Sequence, residues 1–355
     1  MDKYKIDSHK LMYHLSRVCD WLNGKTIYPV YIEVSPVGSC NHRCLFCAYD
    51  FIGYPNRKLD CDRLLSFIDE AKEVGVKSIL YAGEGEPLLH PDIEKIITHS
   101  KNVGIDVGLF TNGQLLKEEL ASAILPSLTF VRFSFNGGTK ENYADIHKVK
   151  PEIFERVVAN IKTASDIKEK ESLDVVIGVQ YVLLPENIDY LIDAVKTLKG
   201  TGVDYFVIKP FVQQSHLQSY RIGAQLDLNN IEDIFNEAES FSSEDFVVIA
   251  RRESFEDYGN RAYKHCYGTS FVSVLNSAGD IATCLPYWDK DDFVLGNIYN
   301  NTFSDIWYGE RREKVKGYLE NELNVQECPP NCRPNTINEF LWEIKNPTVK
   351  HINFV

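Results

Sequence analysis

The chain has 355 residues, 44% of them apolar and 25% charged, with a formal net charge of −13. These proportions fit a soluble, core-forming protein with room for one large domain and an appendage or for two ordinary domains. The acidic balance speaks against a nucleic-acid partner and would repel an anionic membrane surface.

The first segment, "MDKYKIDSHKLMYHLSRVCDWLNG", is polar and then amphipathic, without the apolar core or small-residue cleavage site of a signal peptide. No apolar run approaches membrane-spanning length. The chain is therefore expected to be cytoplasmic, where thiols stay reduced, so its nine cysteines read as metal ligands or redox groups rather than disulfides. Cys19 shares a helical stripe with Leu11, Leu15 and Leu22 and is expected to be a buried core thiol.

From residue 28 a regular rhythm sets in. Strands are expected at Val30–Ser35, Lys77–Ala82, Ile105–Phe110, Thr129–Phe135, Asp174–Val182 and Val203–Lys209. Helical patterns near 60–74, 91–101, 114–125, 151–168 and 186–199 separate them, clearest in "PEIFERVVANIKTASDI". Apolar strands alternating with helices imply an α/β fold of parallel units with right-handed crossovers. Six such units suit an open, partial (β/α)6 barrel; a doubly wound sheet also satisfies the pattern. Either geometry gathers chemistry at the strand C-termini. There lie Cys40, Cys44 and Cys47, then "GEGEP" (83–87), "TNG" (111–113) and "SFNGG" (134–138).

After residue 215 the rhythm breaks. A helix is expected at 227–241, then a hairpin around "NSAGD" with Cys266 before it and Cys284 closing it. Another helix near 303–318 precedes Cys328 and Cys332 in "CPPNC". The polar stretches "YRIGAQLDL" and "RRESFEDYGNR" read as solvated faces, although loops 211–262 should help to shape a substrate site.

Soft thiolates select zinc or iron–sulfur clusters. Structural zinc wants four protein ligands, and the first set offers three, with His42 squeezed between two of them. An iron–sulfur cluster held by three cysteines keeps one iron open for a ligand. The second set has four thiols and suits either a closed cluster or a zinc ribbon.

"CNHRCLFC" has the CxxxCxxC spacing of the radical S-adenosylmethionine (radical SAM) family, with the aromatic Phe46 before the last cysteine. "GEGEP" resembles that family's glycine-rich loop, and "TNG", "FSFNG" and Gln180 match in order over about residues 28–212. The resemblance implies that Cys40, Cys44 and Cys47 hold a [4Fe-4S] cluster whose open iron chelates SAM. It implies that Glu84, Gly85 and Glu86 contact the SAM amino group, and that Ser134 and Gln180 reach its ribose and methionine parts. Tyr49 would lie against adenine through its backbone, with Phe46 and Asn112 also beside the cofactor.

"GDIATC" and "VLGNIYNNTFSDIW" resemble the twitch domain, the shorter relative of the SPASM domain, so Cys266, Cys284, Cys328 and Cys332 would ligate a second [4Fe-4S] cluster. The implied organisation is an N-terminal helical extension (1–27), a radical SAM partial barrel (28–215), a helical linker (216–262), a twitch auxiliary-cluster domain (263–335) and a tail (336–355). The implied activity is reductive cleavage of SAM to a 5′-deoxyadenosyl radical that abstracts hydrogen from a carbinol carbon of a carbohydrate-like molecule. Oxidation or epimerisation would follow, with flavodoxin or ferredoxin as electron donor. Lys209 either holds an anionic substrate group or snorkels at the rim. Cys61 is either a hydrogen-atom donor or structural. Peptide modification is the alternative, disfavoured because about 27 residues before the first strand leave no room for a winged-helix recognition domain. A non-catalytic zinc or iron–sulfur protein is the third reading.

Overall fold

A computed structural model describes residues 4, 9–211, 228–256, 261–287, 290–330 and 332–354; most of "YRIGAQLDL" and part of "RRESFEDYGNR" lie outside them. Seven strands run parallel: β1 (Tyr31–Val34), β2 (Ser78–Tyr81), β3 (Asp106–Thr111), β4 (Phe130–Ser134), β5 (Val176–Leu183), β6 (Tyr205–Pro210) and β7 (Val247–Ala250). They lie side by side in chain order without reversal. A doubly wound sheet would reverse at a switch point, so the order selects the singly wound, partial-barrel solution.

Strand alternation then divides the residues. Ile32, Val34, Ile79, Tyr81, Val107, Leu109, Val131, Phe133, Ile177, Val179, Phe206 and Ile208 enter one core with the crossover helices. Each fully buried aliphatic or aromatic side chain of this set contributes about 1.5–3 kcal/mol. The intervening positions, among them Glu33, Ser35, Phe110, Arg132, Ser134, Gln180 and Lys209, face the opposite, concave side. That side is the lumen.

The seventh strand corrects the reading of 216–262 as a helical linker. The helix Leu228–Glu239 crosses to β7, which pairs with β6 from Tyr205↔Val247 to Ile208↔Ala250. Its four residues make a strand too short to register beside the preceding helix.

The hairpin is present as β8 (Val272–Leu275) and β9 (Asp280–Ala282), followed by β10 (Val294–Asn297). Gly279 turns it with φ +92°, a conformation that favours glycine. β8 pairs in parallel with β1, Tyr31↔Val272 through Val34↔Leu275, so the C-terminal unit extends the barrel sheet to ten strands. The helix expected at 303–318 divides at Gly309 into Phe303–Tyr308 and Glu310–Asn321. The tail forms a helix, Asn335–Lys345, whose Leu341 packs with Leu11, Val18, Tyr267 and Phe271.

Cys19 departs from expectation: its helix, Leu15–Leu22, exposes it together with Leu15 and Leu22. Trp21 sets the rotation. Its ring meets Tyr267 at 5.1 Å and Phe271 at 5.8 Å, so Val18 and Leu11 turn inward instead.

Candidate metal centres

The loop after β1 is tied to the end of the helix Lys140–His147, where Arg43 N–H donates to His147 O (3.1 Å) and Leu45 N–H to Ile146 O (2.9 Å). Phe46 packs against Ile146, Val182, Leu184 and Phe211. The loop turns back through Cys47 N–H to Cys44 O (3.1 Å), bringing the three thiols into each other's fields. Burial, then Glu86 and Cys47, push Cys40 up to about 12. Burial and the other two thiols hold Cys44 well above its usual range, and burial raises Cys47. Three buried thiols that oppose each other's ionisation become thiolates together when a cation sits among them. Beside them the Asn41 Nδ2 and the Tyr143 hydroxyl are buried without a hydrogen-bond partner among the described residues. The donor set and these orphaned groups fit an iron–sulfur cluster with a further polar ligand.

Behind the thiols His42 meets a second histidine, His147, that sequence reasoning missed. The Asn136 backbone N–H donates to His147 Nε2 (3.2 Å). That contact assigns the ring proton to Nδ1, which lies 3.2 Å from Cys44 Sγ and 3.5 Å from His42 Nδ1. His42 in turn donates from Nε2 to Gln114 Oε1 (2.8 Å). Burial lowers His42 to about 4 and His147 well below its ordinary value, so both are neutral. Nothing in the local string "ADIHK" signals this role.

The loop after β2 closes on the cysteine loop. Glu86 N–H donates to Ser39 O (3.0 Å). A Cβ on Gly85 would stand 2.1 Å from that same carbonyl oxygen, so only glycine allows the approach. The Glu86 carboxylate accepts from Thr111 Oγ1 (2.6 Å), Asn112 N–H (2.7 Å) and Leu88 N–H (3.1 Å), and burial raises it to about 7. The buried Glu84 carboxylate turns to Arg57 (3.3 Å) and to the Ser277 hydroxyl of the hairpin, so a contact with SAM would fall to its backbone. Asn112 Nδ2 donates to Asn41 Oδ1 (2.7 Å), which places Asn112 beside the thiols.

Ser134 pairs in register with Gln180, and Gln180 with Val207, so Ser134 and Gln180 share one layer of the lumen. Lys209 is one layer nearer the strand C-termini, opposite Val182. Tyr49 packs on Val274 and Ala282 of the hairpin. Burial, then Cys47, Tyr31 and Cys284, push its hydroxyl far above the usual range, so Tyr49 stands between the two cysteine sets. Cys61 does not join the site. It opens the outer helix Cys61–Glu73, in the field of Lys95, Asp92 and Asp62, away from the lumen, because a helix start after a long loop belongs to the outer layer.

Cys266, Cys284, Cys328 and Cys332 line one partly open pocket. Burial and mutual repulsion push Cys266, Cys328 and Cys332 up to about 11 and Cys284 well above its ordinary value. Arg261 fixes the last pair by donating to Val325 O (2.8 Å), Cys328 O (3.1 Å) and Pro329 O (2.6 Å). Asn338 Nδ2 lies 3.4 Å from Cys266 Sγ. Four soft donors around one cavity fit a closed metal centre. Because β9 runs back along β8, this set lies at the opposite end of the paired strands from the first.

The family profile of the radical SAM superfamily matches residues 34–198, and that of the SPASM iron–sulfur cluster-binding domain matches residues 266–333. The chain is 23% identical over 312 residues to the tungsten-containing aldehyde ferredoxin oxidoreductase cofactor-modifying protein of Pyrococcus furiosus, covering 82% of this chain and 84% of that one. It is 25% identical over 289 residues to the AdoMet-dependent heme synthase of Methanosarcina barkeri, covering 76% and 79%. Among solved structures, Streptococcus suis SuiB bound to the precursor peptide SuiA shares the fold with a TM-score of 0.63 and 17% identity, covering 84% of this chain and 69% of that one.

Proposed function

We propose, from the premise that this chain belongs to the radical SAM superfamily and carries a SPASM-type iron–sulfur domain, that it oxidises a small polar substrate held in the lumen. Cys40, Cys44 and Cys47 are assigned to the SAM-binding [4Fe-4S] cluster, and Cys266, Cys284, Cys328 and Cys332 to the auxiliary one. When bound, SAM and the first cluster would supply a 5′-deoxyadenosyl radical that takes a hydrogen atom, and the auxiliary cluster would accept the electron that the substrate radical gives up as its hydroxyl proton leaves to solvent. The protein's part is to bind, orient and exclude water. Gly85 and the Glu84–Glu86 backbone would hold the amino end of SAM, Ser134, Gln180 and Asn112 its polar middle, and Phe46 and Tyr49 its apolar side.

The single observation that carries oxidation is the closed four-thiol set on the same sheet as the open three-thiol set. A full ligand set offers no vacancy for substrate and suits electron transfer. Epimerisation needs a hydrogen-atom donor in the lumen, and Cys61 stands outside it. The substrate carbon is assigned to a carbinol of a carbohydrate-like molecule, with flavodoxin or ferredoxin as the reductant. The lumen residues Glu33, Arg132, Ser134, Gln180 and Lys209 support a polar substrate. Among the described residues no helix is long and apolar enough to cross a membrane.

The test is anaerobic reconstitution, with quantification of iron and sulfide, then dithionite, SAM and a panel of sugars and aminocyclitols. About eight irons, 5′-deoxyadenosine and a ketone product are expected for two four-iron sites. Product epimers without net oxidation would sink the oxidation reading, and absence of 5′-deoxyadenosine in every preparation would sink the radical one.

A further inference from the structure

The lumen concentrates positive charge in a chain whose net charge is −13. Alternation along β4, β6 and β7 aims Arg132 and Lys209 into it, and Arg251, next after Ala250, continues the same face. Arg251 N–H donates to Ile208 O (3.0 Å), which sets Arg251 beside Lys209 at the C-terminal rim. Arg132 lies deeper, opposite Gly178 and so in the layer of Tyr205.

The floor beneath is aromatic. Arg132 Nε donates to the Tyr205 hydroxyl (2.7 Å), and its guanidinium lies 4.9 Å from the Phe110 ring centre and 5.4 Å from that of Tyr205. Two strand glycines make room for this floor. A Cβ on Gly178 would stand 2.0 Å from the Tyr205 ring, and one on Gly108 would stand 2.5 Å from Phe130. Aromatic faces hold the arginine without neutralising it.

Glu33, a buried carboxylate of the lumen face, is already bound by Arg333 and Tyr31. Lys209 makes no described hydrogen bond or ion pair. An ammonium so placed, without a hydrogen-bond or ion-pair partner of its own, is unfavourable unless a ligand brings an anion to it. Burial and the two arginines accordingly lower Lys209 to about 7.

We propose that Lys209, with Arg251 and Arg132, binds an anionic group of the substrate, a carboxylate or a phosphate, and so orients its reacting carbon beneath the SAM site. The inference deepens, and rests on, the reading of the lumen as the substrate chamber. An arginine pair and a lysine offer several charge-assisted donors to such a group. The polar substrate class thereby narrows to sugar acids, sugar phosphates or other small anions.

Binding can be read without turnover. The reconstituted full-length holoenzyme is unfolded thermally without oxygen at pH 7, with inorganic phosphate or succinate replacing potassium chloride at constant ionic strength. A ligand of the folded state raises the melting temperature in a saturable way. We expect a saturable rise in the wild type, its loss in Lys209→Gln and its return in Lys209→Arg. Arg251→Gln serves as the second variant should Lys209→Gln fail to fold. Equal rises in wild type and both Gln variants, a rise that never saturates, or no rise would overturn the proposal. Equilibrium dialysis of SAM separates the other source of a carboxylate. SAM affinity reduced tenfold in Lys209→Gln with the phosphate response intact would assign the lysine to the cofactor and also overturn it. Wild-type 5′-deoxyadenosine formation is assayed separately, so failure of the radical chemistry is distinguished from failure of the anion site.

Discussion

Replacing Lys209 by methionine should make the protein more stable at neutral pH and flatten its pH profile. In the fold Lys209 titrates near 7 rather than at its ordinary 10.5, through burial and then the two arginines. Between those values the unfolded chain holds a proton that the native chain has released, so wild-type stability rises with pH across the window. Below pH 7 both states are protonated and the penalty is constant. At 1.36 kcal/mol per pH unit the interval corresponds to a ceiling of about 5 kcal/mol. Relaxation and water penetration remove part of it, so a rise of about 2–5 kcal/mol is expected. The assay is urea unfolding of wild type and Lys209→Met in parallel from pH 6 to 10, taking the difference at each pH so that cysteines and other lysines cancel. Methionine keeps the stem's apolar packing, so the difference isolates the charge. The variant should be the more stable below pH 7, with the gap closing toward pH 10. Parallel curves would show that Lys209 is neutralised by a group of the protein itself and would refute the reasoning.

Other substitutions probe the remaining parts. Cys44→Ala should remove about four irons and abolish 5′-deoxyadenosine formation, whereas Cys284→Ala should remove about four irons and retain it, measured by iron assay and chromatography. Gly85→Ala must displace the Ser39 carbonyl, since its Cβ would meet that oxygen at 2.1 Å. A loss of about 1–3 kcal/mol in urea unfolding, together with weakened SAM binding in dialysis, is the expected result. His147→Phe strands the buried Asn136 N–H, costing about 1–3 kcal/mol. It also removes the N–H beside Cys44 and should lower the first cluster's reduction potential in an EPR-monitored titration, as loss of a hydrogen bond to sulfur does.

Much of this was legible in the sequence because it is local. The cysteine spacing, the order of the strand-end loops and the hairpin turn all lie within short strings, and a parallel fold brings strand ends together as a consequence of its topology. What escaped was assembled across distance. Arg132 could be read from the alternation in "FVRFS", but its meaning depends on Lys209 and Arg251 from two other strands. Arg333, which neutralises Glu33, lies 300 positions away in sequence. Likewise His147 reaches Cys44 from a helix that the sequence pattern did not mark. Cys61 and Cys19 misled for the opposite reason. Each sits at a position where periodicity or a neighbouring motif suggests involvement, while the packing of Trp21 and of the outer helices decides otherwise. The Glu84 carboxylate was similarly drawn away, by an Arg57 and a Ser277 that no motif mentions.

The pairing of β8 with β1 also bears on how the chain is made. Tyr31 and Val272, partners in the finished sheet, are about 240 positions apart. During synthesis β1 can dock against β2 early, yet its other side stays an unpaired edge until the hairpin emerges. At ~5–20 residues per second that interval is on the order of 10–50 s. An open edge of apolar strand invites foreign partners, and a contact of such long range forms slowly. The hairpin that reaches β1 carries only Cys266 and Cys284 beside it, so the four-thiol set is complete only once Cys332 has emerged, long after the three-thiol loop.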